Sequence, residues 1–156
     1  MPKSWREKLA DDKDLPKVFP LTGKMSNRFG PGTMVIPAPR EVDAIMKRIP
    51  KGKLITINEI RAALAKQHGV TTACPITSGI FAWIAAHAAH ESAATGAKKF
   101  TPYWRTLKSN GELNPKYPGG IASLKKRLKT EGHKVISRGK RFFVENFDKN
   151  LAKIRS

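Results

Sequence analysis

Residues 39–94 are divided into three helical segments by their own punctuation, and the connections are so short that the segments must pack as neighbours. Val42, Ile45, Met46 and Ile49 recur at i, i+3, i+4 and i+7, which is one buried helix face. Lys47 and Arg48 charge the last turn of that helix, and Pro50 and Gly52 stop it. Thr56-Ile57-Asn58-Glu59 is a capping-box pattern that opens a second helix to about Gln67, with His68-Gly69 at its end. Residues 70–74 predict a turn, and Pro75 suits the first position of a third helix. Ile76, Ile80, Trp83, Ile84 and the alanines through Ala94 give that helix a broad apolar surface. Two helices joined by a short glycine-containing turn match a helix-turn-helix, although the same periodicity fits helices that serve only the core.

On either side of these helices the pattern changes. Residues 1–38 hold Pro2, Pro16, Pro20, Pro31 and Pro37 with Gly23, Gly30 and Gly32, which predicts no long helix and no central strand. A short helix fits Ser4 to Leu9. Trp5, Leu9, Leu15, Val18, Phe19, Phe29, Met34, Val35 and Ile36 are too many apolar groups for a free tail, so the segment reads as an extended basic arm, partly packed. Downstream, Thr95 to Lys99 predicts a loop. A fourth helix spans about Gly120 to Thr130, with Ile121, Leu124 and Leu128 inward and Lys125, Lys126, Arg127 and Lys129 outward. Two short apolar runs flank Arg138-Gly139 and predict a basic β-hairpin. The expected architecture is mainly α with a small β component (α+β): a winged helix-turn-helix domain over 39–148, the arm over 1–38, and a basic tail over 149–156.

The net charge is +18. Residues 101–156 carry 14 Lys+Arg against 4 Asp+Glu, and residues 1–100 carry 16 against 8, so the C-terminal third is the densest patch. Such a surface attracts polyphosphate. Charge alone does not separate DNA from RNA or from an anionic membrane surface. No run approaches the roughly 18 apolar residues of a membrane helix, and the N-terminus has no apolar signal segment. The single cysteine, Cys74, precludes an internal disulfide framework and fits a reducing compartment. The expected setting is cytoplasmic and nucleoid-associated, with a monomer bound to double-stranded DNA.

Thr101-Pro102-Tyr103-Trp104-Arg105, Gly111-Glu112-Leu113 and Tyr117-Pro118-Gly119-Gly120 follow one another in a short span. The segment resembles the active site of the O6-alkylguanine-DNA alkyltransferases, which reads Pro-Cys-His-Arg and then Tyr-x-Gly-Gly. The likeness covers residues 42–132. It includes Pro50-Lys51-Gly52-Lys53-Leu54-Ile55-Thr56, similar to the family's Pro-x-Gly-x-x-x-Ser/Thr, then the Gly79 helix and a closing Glu131-Gly132. Tyr103 stands at the nucleophilic cysteine, Trp104 at the histidine that ionises it, and Glu131 at the glutamate behind that histidine. A phenol, with a pKa near 10, is a poor nucleophile at neutral pH without a base. The chain most resembles the alkyltransferase-like proteins, which lack the cysteine, bind O6-alkylguanine in DNA and flag it for nucleotide excision repair through a repair-protein partner.

The resemblance implies no catalytic residue, no metal and no cofactor. It implies a base pocket of Tyr103, Trp104, Tyr117, Pro118 and Gly119. DNA contacts are expected from Thr56, Ile57, Asn58, Thr71, Thr72, Ile76 and Thr77, with phosphates held by Lys125, Lys126, Lys129, Lys134, Arg138, Lys140 and Arg141. Two positions depart from the family: Ile57 replaces the tyrosine that pushes the target base out, and Pro75 or Ile76 replaces the arginine that fills its space. An apolar wedge there could still unstack a base step. Arg105 and Glu131 read as structural. His87 and His90, at i and i+3, read as ordinary helix histidines rather than metal ligands. Gly119-Gly120 before a helix offers a place for a backbone phosphate. Two alternatives stand beside this reading. One is a general nucleoid or transcription-associated winged helix without lesion recognition. The other is an active alkyltransferase using Cys74 or Tyr103.

Overall fold

The structure, a computed structural model, describes residues 3–154. Its helices are α1 (Trp5–Ala10), α2 (Gly23–Phe29), α3 (Pro39–Lys47), α4 (Ile57–His68), α5 (Pro75–Ala94) and α6 (Gly120–Thr130). Its strands are β1 (Lys17–Pro20), β2 (Thr33–Ile36), β3 (Ile55–Thr56), β4 (Thr72–Ala73), β5 (Thr106–Leu107), β6 (Val135–Arg138) and β7 (Arg141–Val144). The fold is α+β, with 47% helix and 16% strand.

The helix ends are set locally. The Glu59 carboxylate accepts from the Thr56 backbone N–H at 2.9 Å and from its hydroxyl at 2.6 Å, which opens α4. Gly69, at φ 63°, closes α4 in the left-handed region. Glu41 likewise accepts from the Ala38 N–H at 2.9 Å. Its second oxygen meets Gln67 Nε2 at 2.9 Å and His68 Nε2 at 2.6 Å, so one carboxylate ties the start of α3 to the end of α4.

Helix α5 is the axle. Its inner face is Phe81, Ala82, Ile84, Ala85, Ala86, Ala88 and Ala89, all buried. The alanines let α3 and α1 approach closely. Val42, Ile45, Met46 and Ile49 face it from α3 and its end, and Ile60 and Leu64 from α4, each at 0–1% exposure. Each such side chain contributes on the order of 1.5–3 kcal/mol by leaving water. Trp5 of α1 stacks on His87 at 4.4 Å and meets Trp83 edge-on at 4.8 Å. Glu91 accepts from the Trp5 and Arg6 backbone N–H groups at 3.1 and 3.3 Å, which fixes the start of α1.

The sheets correct two expectations. Strand β2 is central: it pairs antiparallel with β1 and parallel with β4. Met34 and Val35 are fully buried. Pro37 lies just beyond β2 and Pro31 just before it, so neither removes a ladder donor. Residues 33–36 are thus part of the folded body, and only α2 protrudes from the arm, with no buried residue. The C-terminal stretch, expected as a basic tail, is tied to the core over residues 150–154. Leu54 N–H donates to Asn150 O at 2.9 Å, Ala152 N–H donates to Leu54 O at 2.8 Å, and Leu151, Ala152 and Ile154 pack on the core. Alternation of Lys and apolar residues there marks one covered side rather than solvation.

Strands β3 and β5 pair in parallel, bringing Thr56-Ile57 beside the Tyr103 segment. The β6–β7 hairpin forms as expected, but it is docked. Leu113 N–H donates to Phe142 O at 2.8 Å, and Val144 N–H donates to Gly111 O at 3.0 Å.

Candidate nucleic-acid interface

The segment around Tyr103 is a 3₁₀ turn, Tyr103–Arg105, closed on Glu131 at the end of α6. Trp104 Nε1 donates to Glu131 Oε2 at 3.0 Å. Arg105 donates from Nε to Oε1 at 2.9 Å and from Nη2 to Oε2 at 2.7 Å, a two-pronged pair. Its Nη1 donates to Ile49 O at 2.7 Å. The Gly52 N–H adds a long contact at 3.4 Å. Burial works to raise the Glu131 carboxyl, and the Arg105 and Trp104 donors overcome it, holding the carboxyl below its ordinary range. His133 is buried nearby with Nε2 unpartnered, and burial pushes its imidazole down.

Tyr103 is 1% exposed. Its ring meets Trp104 edge-on at 5.4 Å and Tyr117 at 6.5 Å. Burial pushes its phenol up, partly offset by the Arg127 guanidinium, which lies 4.3 Å over Trp104. Burial also pushes the Tyr117 phenol up. An indole N–H is a donor only, so Trp104 has no lone pair with which to take the Tyr103 proton. Cys74 is half-buried at the start of α5.

Beside this cluster lies a cavity of about 560 Å³ between α5, the start of α4 and residues 108–117. Ile57, Ile76, Ile80 and Trp83 form its apolar wall, Tyr117 its far side, and Arg61, Lys108 and Lys116 its cationic edge. Ile76 is 69% exposed and Ile80 45%, so α5 turns these two outward rather than into the core. The volume falls within the range of about 300–1,000 Å³ typical of ligand sites. The Trp83 indole donates to Lys116 O at 3.2 Å, and His87 Nε2 lies 2.9 Å from the same oxygen, which holds the loop against α5. His87 and His90 gather no third ligand among the described residues.

Of the five residues expected to form a base pocket, Tyr103, Trp104 and Tyr117 come together, but only Tyr117 lines the cavity. Tyr103, Trp104 and Pro118 are buried, and Tyr117 itself is only 4% exposed. Gly119, at φ 80°, begins α6; a Cβ there would meet the Ser123 side chain at 2.5 Å, so its role is packing as well as turn geometry.

The threonines need correction. The third helix starts at Pro75 as expected, but within the preceding turn Thr72–Ala73 pair with β2 as β4. Thr71 Oγ1 accepts from Thr33 N–H at 3.1 Å, and Thr72 Oγ1 accepts from Arg61 Nη2 at 3.1 Å. Thr56 is buried against Glu59, and Thr77 Oγ1 is buried without a partner. Thr56, Thr72 and Thr77 are buried or half-buried, whereas Thr71 is exposed, with its oxygen accepting from Thr33. Asn58 is exposed and accepts from Ser109 Oγ at 3.1 Å, while Ile57 and Ile76 sit on the cavity.

Among the expected phosphate ligands, Arg141 donates to the buried Glu112, whose carboxyl it draws below its usual range. Lys134 is 3.7 Å from Glu145. Lys125 lies over Phe142 and Arg138 over Phe143. Lys126, Lys129 and Lys140 are exposed and unpaired among the described residues. Arg61, Lys108 and Lys116 were not singled out by sequence reasoning. The i, i+4, i+7 spacing of Ile76, Ile80 and Trp83 is the sequence signal for this side of α5, of which Ile76 is an expected DNA contact.

No protein-family model matches the chain, and no curated protein matches it. Two solved structures share the fold: S. pombe Atl1 in complex with damaged DNA containing O6-carboxymethylguanine, and S. pombe ATL in complex with DNA. Each has a TM-score of 0.52 and 20% identity, and the alignment covers 74% of this chain and 94% of the other. The fold of this chain is therefore similar to that of S. pombe Atl1. Among the described residues, no helix is long and apolar enough to cross a membrane.

Proposed function

We propose that the chain is a non-catalytic DNA-binding protein of alkyltransferase-like type. In this reading α4 and α5 act as a helix-turn-helix, with the β6–β7 hairpin as wing, and a base turned out of the duplex enters the Ile76–Tyr117 cavity. The observation that carries it is the pairing of an outward apolar wall, Ile57, Ile76 and Ile80, with Arg61, Lys108 and Lys116 at the edge of one base-sized cavity. Apolar side chains can unstack a base step, and cations hold the flanking phosphates. Half-buried Trp83 on the cavity wall offers an aromatic surface on which a flipped base recovers part of its unstacking cost of a few kcal/mol. Lys126, Lys129, Arg138 and Lys140 supply sequence-independent affinity.

Alkyl transfer to Tyr103 is not supported. Tyr103 is buried and protonated, and Trp104 spends its only polar hydrogen on Glu131. The test is an anisotropy titration of two duplexes identical except for one O6-methylguanine, at two salt concentrations, followed by intact mass. The expected result is tighter binding to the modified duplex with no mass gain. An added alkyl mass overturns the non-catalytic reading.

One observation favours a second reading. Tyr103 does not open on the cavity, which fits a general duplex binder without lesion preference. Equal, salt-sensitive binding to both duplexes would select it.

A further inference from the structure

Helix α2 is the one helix apart from α1 that buries no residue, and it lies outside residues 42–132, which carry the family resemblance. It is carried in the connection between β1 and β2, so the sheet that anchors it is part of the core. Gly32 and Thr33, at its base, touch Thr71 in the α4–α5 connection. On its other side, Phe29 faces Arg61, whose guanidinium is 5.9 Å from the ring centroid, and Arg28 lies 5.0 Å over the same ring. Arg61 is itself fixed, donating from Nε to Ala73 O at 2.9 Å and from Nη2 to Thr72 Oγ1 at 3.1 Å, and it forms the edge of the cavity.

The charges on this ridge are of one sign. Lys24 and Arg28 are exposed, and neither they nor Arg61 forms an ion pair among the described residues. The contrast with α1 is direct: there Arg6 pairs with Glu91 at 2.9 Å and Lys3 with Asp11. Desolvation lowers the Arg61 pKa, and Arg28 adds to the effect by repulsion. Arg28 and Arg61 flank the Phe29 ring, and Lys24 stands one turn before Arg28 on the same exposed helix; these cations, unpaired among the described residues, run from α2 to the edge of the cavity and are complementary to a polyanion that passes over the cavity and continues past it.

We propose that α2 is an accessory DNA grip: Lys24 and Arg28 hold the phosphodiester backbone of the duplex on the α2 side of the cavity, with Arg61 bridging the grip to the base site. The proposal rests on the DNA-binding reading above and lengthens its footprint beyond the part of the chain that carries the family resemblance. Helix α2 then holds additional phosphates without adding sequence or lesion preference.

The test compares wild type with Lys24→Glu/Arg28→Glu on a 30-base-pair duplex, by anisotropy across a salt series, with thermal unfolding as the folding control. Because α2 buries nothing, Tm should hold. The double variant is expected to bind about tenfold more weakly or worse, and the magnitude of its log K against log salt slope should fall by about 1.8, at roughly 0.9 for each phosphate no longer neutralised. The loss of affinity should be equal on plain and O6-methylguanine duplexes. Wild-type binding with an unchanged affinity and slope in the variant overturns the α2 grip and leaves the DNA-binding reading standing. Absence of binding by wild type overturns both. A weakening confined to the modified duplex would also overturn the grip, since it would make α2 part of base recognition.

Discussion

The Glu131 cluster and the Ile76 cavity are joined through Tyr117, whose ring lies 6.5 Å from Tyr103 on one side while lining the cavity on the other. They treat polar and apolar groups in opposite ways. In the cluster, Trp104, Arg105, Gly52 and Glu131 satisfy one another, and Arg127 covers the aromatic rings. At the cavity, two isoleucines are exposed and, among the described residues, the cations at the edge lack carboxylate partners, apart from Lys108 at 3.8 Å from Glu112. Groups already paired with each other have little left to offer a ligand. The position where the resemblance puts a reactive thiolate has become part of the frame, and the unsatisfied surface lies one helix face away. Exposed isoleucine stabilises nothing in the free protein, so its presence at two successive turns of α5 is best accounted for by something that covers it.

The largest expected effect falls on the frame. Glu131→Gln leaves Arg105 buried opposite a neutral amide, and breaking a buried pair of this kind costs about 3–5 kcal/mol. Urea unfolding at pH 7 measures it. The pH dependence has a definite sign. The Glu131 carboxyl is held below its usual range, so its contribution is present above the ordinary carboxylate value near 4.3 and is lost as pH falls through the depressed folded value. The gap between wild type and variant should therefore close on acidification. A gap that is small at pH 7, or that widens in acid, would show that the cluster does not hold the frame.

The next effect falls on the other side of the comparison. Ile76→Glu combined with Ile80→Glu should lower Tm only slightly, because Ile76 is 69% exposed and Ile80 45%. The same change should weaken binding to every duplex by tenfold or more, since it sets two carboxylates against phosphates and removes the wedge. Near-wild-type affinity with an intact fold would move the interface off this face of α5. A large drop in Tm would mean that the cavity belongs to the frame, and the distinction between the two regions would fail.

What the residue pattern revealed, and what it hid, follows the same division. Helices α3, α4 and α6 and the β6–β7 hairpin were readable because their signals are local: a four-residue apolar period, a capping glutamate three residues on, a glycine at the turn. The central place of β2 was not readable. It depends on a parallel pairing with two residues of β4, thirty-eight positions away in sequence, and a two-residue strand shows no alternation. For the same reason the strand position of Thr72, whose backbone pairs with β2 and whose hydroxyl accepts from Arg61, was not readable. In the site, the Tyr103-Trp104-Arg105 turn and Glu131 came together as the resemblance implied. That Tyr103 would be buried, and that Arg61 would reach the cavity, depended on side-chain packing across elements, which no local spacing encodes.

The smallest effect separates two adjacent residues of the hairpin that sequence alone treated as equivalent. Lys140 is exposed and unpaired among the described residues, whereas Arg141 is bound to the buried carboxylate of Glu112. Lys140→Ala should therefore leave Tm unchanged and weaken duplex binding modestly, with the salt slope falling by about 0.9 for one phosphate no longer neutralised. Arg141→Ala should lower Tm by a few degrees, since it leaves Glu112 with only the distant Lys108, and should change the salt slope less than Lys140→Ala does. Melting curves and a salt titration on both variants decide the matter. Equal slopes with equal Tm would mean that Arg141 releases Glu112 on binding DNA, so that the whole hairpin touches the duplex. Unequal behaviour in the expected direction would mean that even within the densest basic patch, part of the charge neutralises the protein's own buried carboxylate, and only the remainder is available to a polyanion.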